Sequence, residues 1–116
     1  MAGISSLSTA DAALLARQAA EVGCQGLMVL PPYVYCSDWR EMKAHVSAII
    51  AATPLSCMLY NNPIAYKTDF LPEQVAELCK EHSNLHAIKE SSARCPPHHR
   101  YPRPDRRQAQ ILRRRR

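Results

Sequence analysis

The 116-residue chain is long enough for one modest domain and too short for two, and its 47% apolar and 22% charged content is that of a globular protein. Its net charge of +5 is unevenly placed: residues 1–93 hold six Lys/Arg against nine Asp/Glu, a balance of −3, whereas residues 94–116 hold nine Arg against one Asp, a balance of +8. The overall basicity therefore says nothing about the partner of the first 93 residues and belongs to the tail alone.

From the N-terminus, "STADAALLARQAAEVG" predicts a helix over 9–22, opened by Ser8 and Asp11 in a capping-box-like spacing and closed by Gly23. "GLMVL" (26–30) is a short apolar run that reads as a strand. In "SDWREMKAHVSAIIAAT", Trp39, Met42, Val46, Ile49 and Ile50 fall on one stripe of a helix over 38–52, with Ser37 or Asp38 as its cap and Pro54 beyond its end. "LSCMLY" (55–60) is a second strand. "LPEQVAELCKEH" places Leu71, Val75, Leu78 and Cys79 on one face of a helix over 71–82, with Pro72 in the first turn and Glu73 near the positive end of its dipole. "LHAIK" (85–89) is a third strand.

The strands end about thirty residues apart, and the order is α-β-α-β-α-β. Strands too uniformly apolar to own a solvent face imply an α/β fold with a parallel sheet covered by helices. An open doubly wound sheet and a slice of a (β/α)₈ barrel both fit, and both collect chemistry at the carboxyl ends of the strands. Those ends carry Pro31-Pro32-Tyr33, Tyr60-Asn61-Asn62 and Lys89-Glu90-Ser91. With three glycines in all, no phosphate-binding glycine loop is present to favour the nucleotide-binding open sheet.

Cysteines 24, 36, 57, 79 and 95 form no C-x-x-C pair, and Met1–Ala10 does not read as a signal peptide. The odd count reads as free thiols, giving an expected cytoplasmic location. No apolar run is long enough to span a bilayer. Cys95, His98 and His99 lack a scaffold for tetrahedral geometry, so neither metal nor cofactor is expected. His45, His82 and His86 have no carboxylate or cysteine at catalytic spacing and read as surface or satisfied residues.

"GLMVLPPY", "MLYNNP" with "TDFLPE" behind it, and "AIKESS" resemble, in order and spacing, the dihydrodipicolinate synthase/N-acetylneuraminate lyase family, over roughly Ser5 to Ala93. The resemblance implies a partial (β/α)₈ TIM barrel, about its strands 4–6, in a family whose members are usually homotetramers acting on a small 2-oxo acid. It makes Lys89 the Schiff-base nucleophile, Tyr60 its proton-handling partner, and Tyr33 a tyrosine that in the synthases reaches a neighbouring subunit's site. Asn61, Asn62 and Ser91 are the expected substrate-binding residues, and the two amides also suit the turn that aims Tyr60. The residue types fit the chemistry. An amine attacks a carbonyl only when neutral, and enclosure in a barrel mouth favours that form. The resulting iminium withdraws electrons from the neighbouring bond, and a phenol can relay the protons.

Two departures stand out. Where synthases carry an arginine five residues after the tyrosine, this chain has Ala65, with Lys67 two further on. This favours a relative acting on another 2-oxo or imino acid, such as a 4-hydroxy-pyrroline-carboxylate deaminase or a sugar-acid lyase or dehydratase. The barrel segments expected before Ser5, including a threonine-bearing loop, are absent, so an inactive truncated form is expected.

A boundary is expected at residue 93, between a partial barrel (1–93) and a Pro/Arg-rich tail (94–116). With suitable codons and one base removed, the tail reads as an amphipathic helix and an apolar strand, the continuation a barrel needs. A frameshifted tail is therefore expected in preference to a basic arm. Nucleic-acid binding through the arm is the alternative of another class.

Overall fold

The computed structural model describes residues 1–32 and 38–91. Tyr33, the metal-like trio of Cys95, His98 and His99, and the tail beyond Ser91 lie outside the described residues. The elements are β1 (Ala2–Ile4), α1 (Thr9–Glu21), β2 (Gly26–Val29), α2 (Trp39–Ala51), β3 (Ser56–Asn61), α3 (Pro63–Tyr66), α4 (Pro72–Glu81) and β4 (Leu85–Glu90). The three expected strands and three expected helices are present within one or two residues of their predicted ends. Two elements are additions. β1 is a further strand just ahead of Ser5, where the family resemblance was taken to begin, and α3 is a single turn behind β3.

Local chemistry sets the boundaries. Ser8 accepts from the Asp11 N–H and Asp38 from the Glu41 N–H, each satisfying an orphan donor of its helix. Gly23 closes α1 at φ 88°, where the Cys24 N–H turns back to the Ala19 carbonyl at 3.0 Å. At the start of α4 the Gln74 side chain reaches back to the Leu71 N–H at 2.9 Å. Asn84 shares its amide among the carbonyls of Ile50, Thr53 and Leu55 and fastens the turn between α2 and β3.

All four strands are parallel and lie in chain order, β1-β2-β3-β4. Right-handed crossovers between successive neighbours place α1, α2 and α4 on the same side of the sheet. A doubly wound sheet must reverse its strand order to cover both faces, so the winding is that of a barrel wall. Leu27, Val29, Cys57 and Leu59 turn to the helix side. There they pack with Ala12, Ala16 and Ala19 of α1, Val46, Ile49 and Ile50 of α2, and Val75 and Leu78 of α4. The small alanines let α1 sit close to the sheet. Lys43 of α2 meets Glu77 and Glu81 of α4 at 2.5 and 2.6 Å.

Among the described residues only the single turn α3, at the rim, adjoins the opposite face. One rung of paired residues, Gly3, Met28, Met58 and Ala87, runs straight across it. The expectation that the strands lack an open face is corrected here: β3 alternates half-buried and buried along its whole length. Between β3 and β4 the register shifts by one residue, from Cys57 opposite Leu85 to Met58 opposite Ala87.

Candidate active site

Tyr60 and Lys89 are direct partners across the β3–β4 ladder, so their side chains leave the same face at the same height. The Lys89 ammonium lies 4.7 Å from the centroid of the Tyr60 ring. Lys89 is exposed and Tyr60 half-buried, because the wall they stand on is the one that α1, α2 and α4 leave uncovered.

The Tyr60 phenol is held from two sides. Asn62 Nδ2 donates to its oxygen at 3.0 Å, and the Ser91 side chain makes a second hydrogen bond. The Asn62 bond first, then that of Ser91, and to a lesser degree the nearby Lys89 charge hold the phenol below its ordinary pKa. Two of the expected substrate-binding residues thus sit at the phenol and address it directly.

Asn61 sits elsewhere. Successive strand residues point to opposite faces, and Asn61 lies wholly buried on the helix side. Its Nδ2 donates to Asp69 Oδ1 and Glu90 Oε2, both at 3.0 Å, and its Oδ1 accepts from the Phe70 N–H at 3.1 Å. These bonds tie the end of β3 to the loop before α4 and to the end of β4. The geometry is that of a clasp behind the site.

Sequence reasoning missed Tyr66. Asn62 Oδ1 accepts from the Ala65 N–H at 3.1 Å and, with Pro63 in the first turn, starts α3, which brings Tyr66 edge-on to Tyr60 at 5.8 Å between ring centroids. Asn-Pro followed by an aromatic within one turn was the available signal. Ala65 is exposed on that turn, and Lys67 ends it in a left-handed conformation with φ 56°.

The three described histidines are satisfied by hydroxyls. His45 Nδ1 lies 2.8 Å from Thr9 Oγ1, His82 Nε2 3.0 Å from Ser47 Oγ, and His86 Nδ1 2.8 Å from Ser56 Oγ. Among the described residues no group of three or more His, Cys, Asp or Glu is placed to hold a metal ion. No described helix is long and apolar enough to cross a membrane. Cys24, Cys57 and Cys79 are free, and burial pushes the Cys57 thiol up to about 11, away from reactivity.

A lysine and a tyrosine on adjacent strand ends of a singly wound parallel sheet have a clear counterpart among known proteins. Residues 1–102 match the dihydrodipicolinate synthetase family. The chain belongs to that family. It is 36% identical over 92 residues to a 4-hydroxy-tetrahydrodipicolinate synthase of Desulforamulus reducens, and 39% identical over 92 residues to one of Exiguobacterium sp.. Each alignment covers 79% of this chain and 31% of the relative. The solved 4-hydroxy-tetrahydrodipicolinate synthase of Methylacidiphilum fumariolicum superposes with a TM-score of 0.76 at 33% identity, over 79% of this chain and 31% of that one. The chain thus spans about a third of the length of these family members. Its four-stranded sheet is a fragment of the family's TIM barrel, with the Tyr60/Lys89 face as part of the inner wall.

Proposed function

We propose that Lys89 is the Schiff-base lysine and Tyr60 the proton relay of a class I aldolase-type lyase or synthase acting on pyruvate or another 2-oxo or imino acid. The observation that carries this reading is the in-register pair, with the ammonium 4.7 Å from the phenol ring. The neutral Nζ attacks the carbonyl carbon and forms a carbinolamine. The former carbonyl oxygen leaves as water after taking a proton, and the nitrogen lone pair closes the iminium. A phenol below its ordinary pKa, supported by Asn62 and Ser91, suits it to give that proton and recover one. Tyr33 is proposed to complete the relay from a neighbouring subunit of a homotetramer, as the family resemblance implies.

Ala65 favours a substrate other than that of the lysine-biosynthetic synthases. The position expected to hold a carboxylate-binding arginine carries a methyl group exposed on α3, and the left-handed turn at Lys67 follows it. A deaminase of a hydroxylated cyclic imino acid, or a sugar-acid lyase or dehydratase, is the second reading.

By itself the 116-residue chain is proposed to have no useful turnover, because Lys89 stands exposed on an open sheet face. The test is borohydride trapping with pyruvate in a chimera in which residues 1–91 replace the matching third of a full-length relative. An adduct of one pyruvate on Lys89, abolished by Lys89→Ala, is expected. Trapping that survives Lys89→Ala, or that spreads evenly over Lys43, Lys67 and Lys80, overturns the assignment.

A further inference from the structure

The Tyr60 phenol reaches one rung above its own. Strand residues alternate in direction, so Tyr60 and Asn62 share the inner face of β3, while Lys89 and Ser91 share that of β4. Tyr60 pairs with Lys89, and Asn61 with Glu90. The Ser91 N–H donates to the Asn61 carbonyl at 2.9 Å, which carries the ladder one residue past β4 and sets Ser91 beside Asn62. The phenol oxygen therefore lies between two polar side chains, one from each strand, and is bonded to both.

Those two partners are chemically unequal. The Asn62 side chain is engaged at both ends, with Oδ1 on the Ala65 N–H at 3.1 Å and Nδ2 on the phenol at 3.0 Å. An amide N–H steadies an oxygen but keeps its own proton, whereas a serine hydroxyl donates one proton and accepts another. Ser91 is half-buried, so part of its surface stays open to water. Asn62 first, and then Ser91, favours the ionised phenol, which is the form that must be recharged. Lys89 is no substitute. Its ammonium stands over the ring, 4.7 Å from the centroid, and its nitrogen is the one assigned to bond the substrate.

We propose that Ser91 recharges Tyr60: its hydroxyl passes a solvent proton to the phenol once the phenol has given its own to the leaving oxygen. The inference rests on the assignment of Tyr60 as the relay and names the group behind it. The carbinolamine C–O bond breaks with its electron pair, and the oxygen takes the Tyr60 proton and leaves as water. The nitrogen lone pair closes the iminium. The phenolate oxygen takes the Ser91 proton, and the serine oxygen takes one from a solvent hydronium ion. Both hydroxyls are restored, one proton has crossed from solvent to the leaving water, and nothing is oxidised or reduced. Ser91 acts through Tyr60 and touches no reacting atom, so its removal should slow proton transfer and leave substrate binding alone.

Two measurements test it. In the full 116-residue chain, Ser91→Ala should raise the pH at which Tyr60 ionises, read by ultraviolet difference against the same chains carrying Tyr60→Phe. An unmoved phenol overturns the proposal. In the chimera that carries residues 1–91, the rate of pyruvate-dependent, borohydride-trapped adduct formation on Lys89 should fall about tenfold in Ser91→Ala, part of the ~10²-fold that general acid catalysis supplies. Ser91→Thr should recover it, and the pyruvate concentration that half-saturates the rate should not move. In mixtures of light and heavy water the parent's rate should curve with deuterium content, because two protons move together, and that of Ser91→Ala should follow a straight line. A straight line in the parent, equal losses in Ser91→Ala and Ser91→Thr, or a loss confined to pyruvate affinity overturns the inference. If Tyr60→Phe slows trapping and Ser91→Ala does not, Ser91 alone is misassigned. If neither slows it, or the adduct is not on Lys89, the reading of Tyr60 and Lys89 falls and takes this one with it.

Discussion

Asn62 divides its side chain between two neighbours: its Nδ2 donates to the Tyr60 phenol at 3.0 Å while its Oδ1 accepts from the Ala65 N–H at 3.1 Å. One residue therefore both starts α3 and sets the acidity of the phenol. Asn62→Leu should cost about 1 kcal/mol through loss of the cap. It should also raise the pH at which Tyr60 ionises. Ultraviolet titration reads this as a difference against Tyr60→Phe, which isolates one phenol from the five in the chain. The depressed phenol stabilises the fold only above the unfolded pKa, near ~10, and that contribution is lost as pH falls through the folded value. At neutral pH the cap alone should be felt. A phenol that ionises at the same pH with and without Asn62 would show that Ser91 and Lys89 suffice.

Asn61 should behave as a structural residue. Asn61→Asp removes the donor shared by Asp69 and Glu90 and adds a third carboxylate in a buried position, at a cost of at least about 3 kcal/mol near neutral pH. Part of the loss should return near pH 4, where the new carboxyl is protonated, when each variant is compared with the parent at the same pH by urea unfolding. Asn61→Ala should show a loss that varies much less with pH. Equal losses for Asp and Ala at both pH values would contradict the clasp.

His45 is buried against Thr9, and desolvation lowers its pKa below 6.5. The folded state therefore resists protonation that the unfolded state accepts. The stability this provides is present above about 6.5 and is lost as pH falls toward the lowered folded value. Urea unfolding between pH 7.5 and 5 should show falling stability, and His45→Gln should flatten that slope.

In the chimera that supplies the missing barrel strands, Tyr60→Phe should slow pyruvate-dependent trapping of Lys89 by about 10²-fold or more while leaving the melting temperature nearly unchanged. An unaltered trapping rate would assign the proton transfer to another group, with Tyr66 the nearest aromatic alternative.

The repeat of strand and helix was legible because α1, α2 and α4 each carry a helical stripe and a start or stop signal, and β2, β3 and β4 each form a short apolar run between them. β1 escaped because three residues, Ala2 to Ile4, are too few for any period, and their strand character comes from pairing with β2. α3 escaped because a single turn buries no stripe. The Tyr60/Lys89 pair was legible through motif order alone. The roles of the two asparagines were not, although strand alternation already places residues 60 and 61 on opposite faces. The likeness of the motifs to a strand-end turn obscured that elementary consequence.

The register shift between β3 and β4 makes the phase of the ladder itself a determinant of the site. Cys57 faces Leu85, yet Met58 faces Ala87, so His86 is a supernumerary residue, a bulge. Only because His86 stands out of the ladder does Lys89 come opposite Tyr60. Were His86 drawn into the ladder opposite Met58, Lys89 would stand opposite Asn61, its ammonium driven behind the sheet among the helices, while Ile88 took its place on the inner wall. Deleting His86 would by contrast leave the pair in place, since Ala87 would follow Leu85 directly. The bulge thus acts as a spacer that absorbs one surplus residue and holds the lysine in phase with the tyrosine.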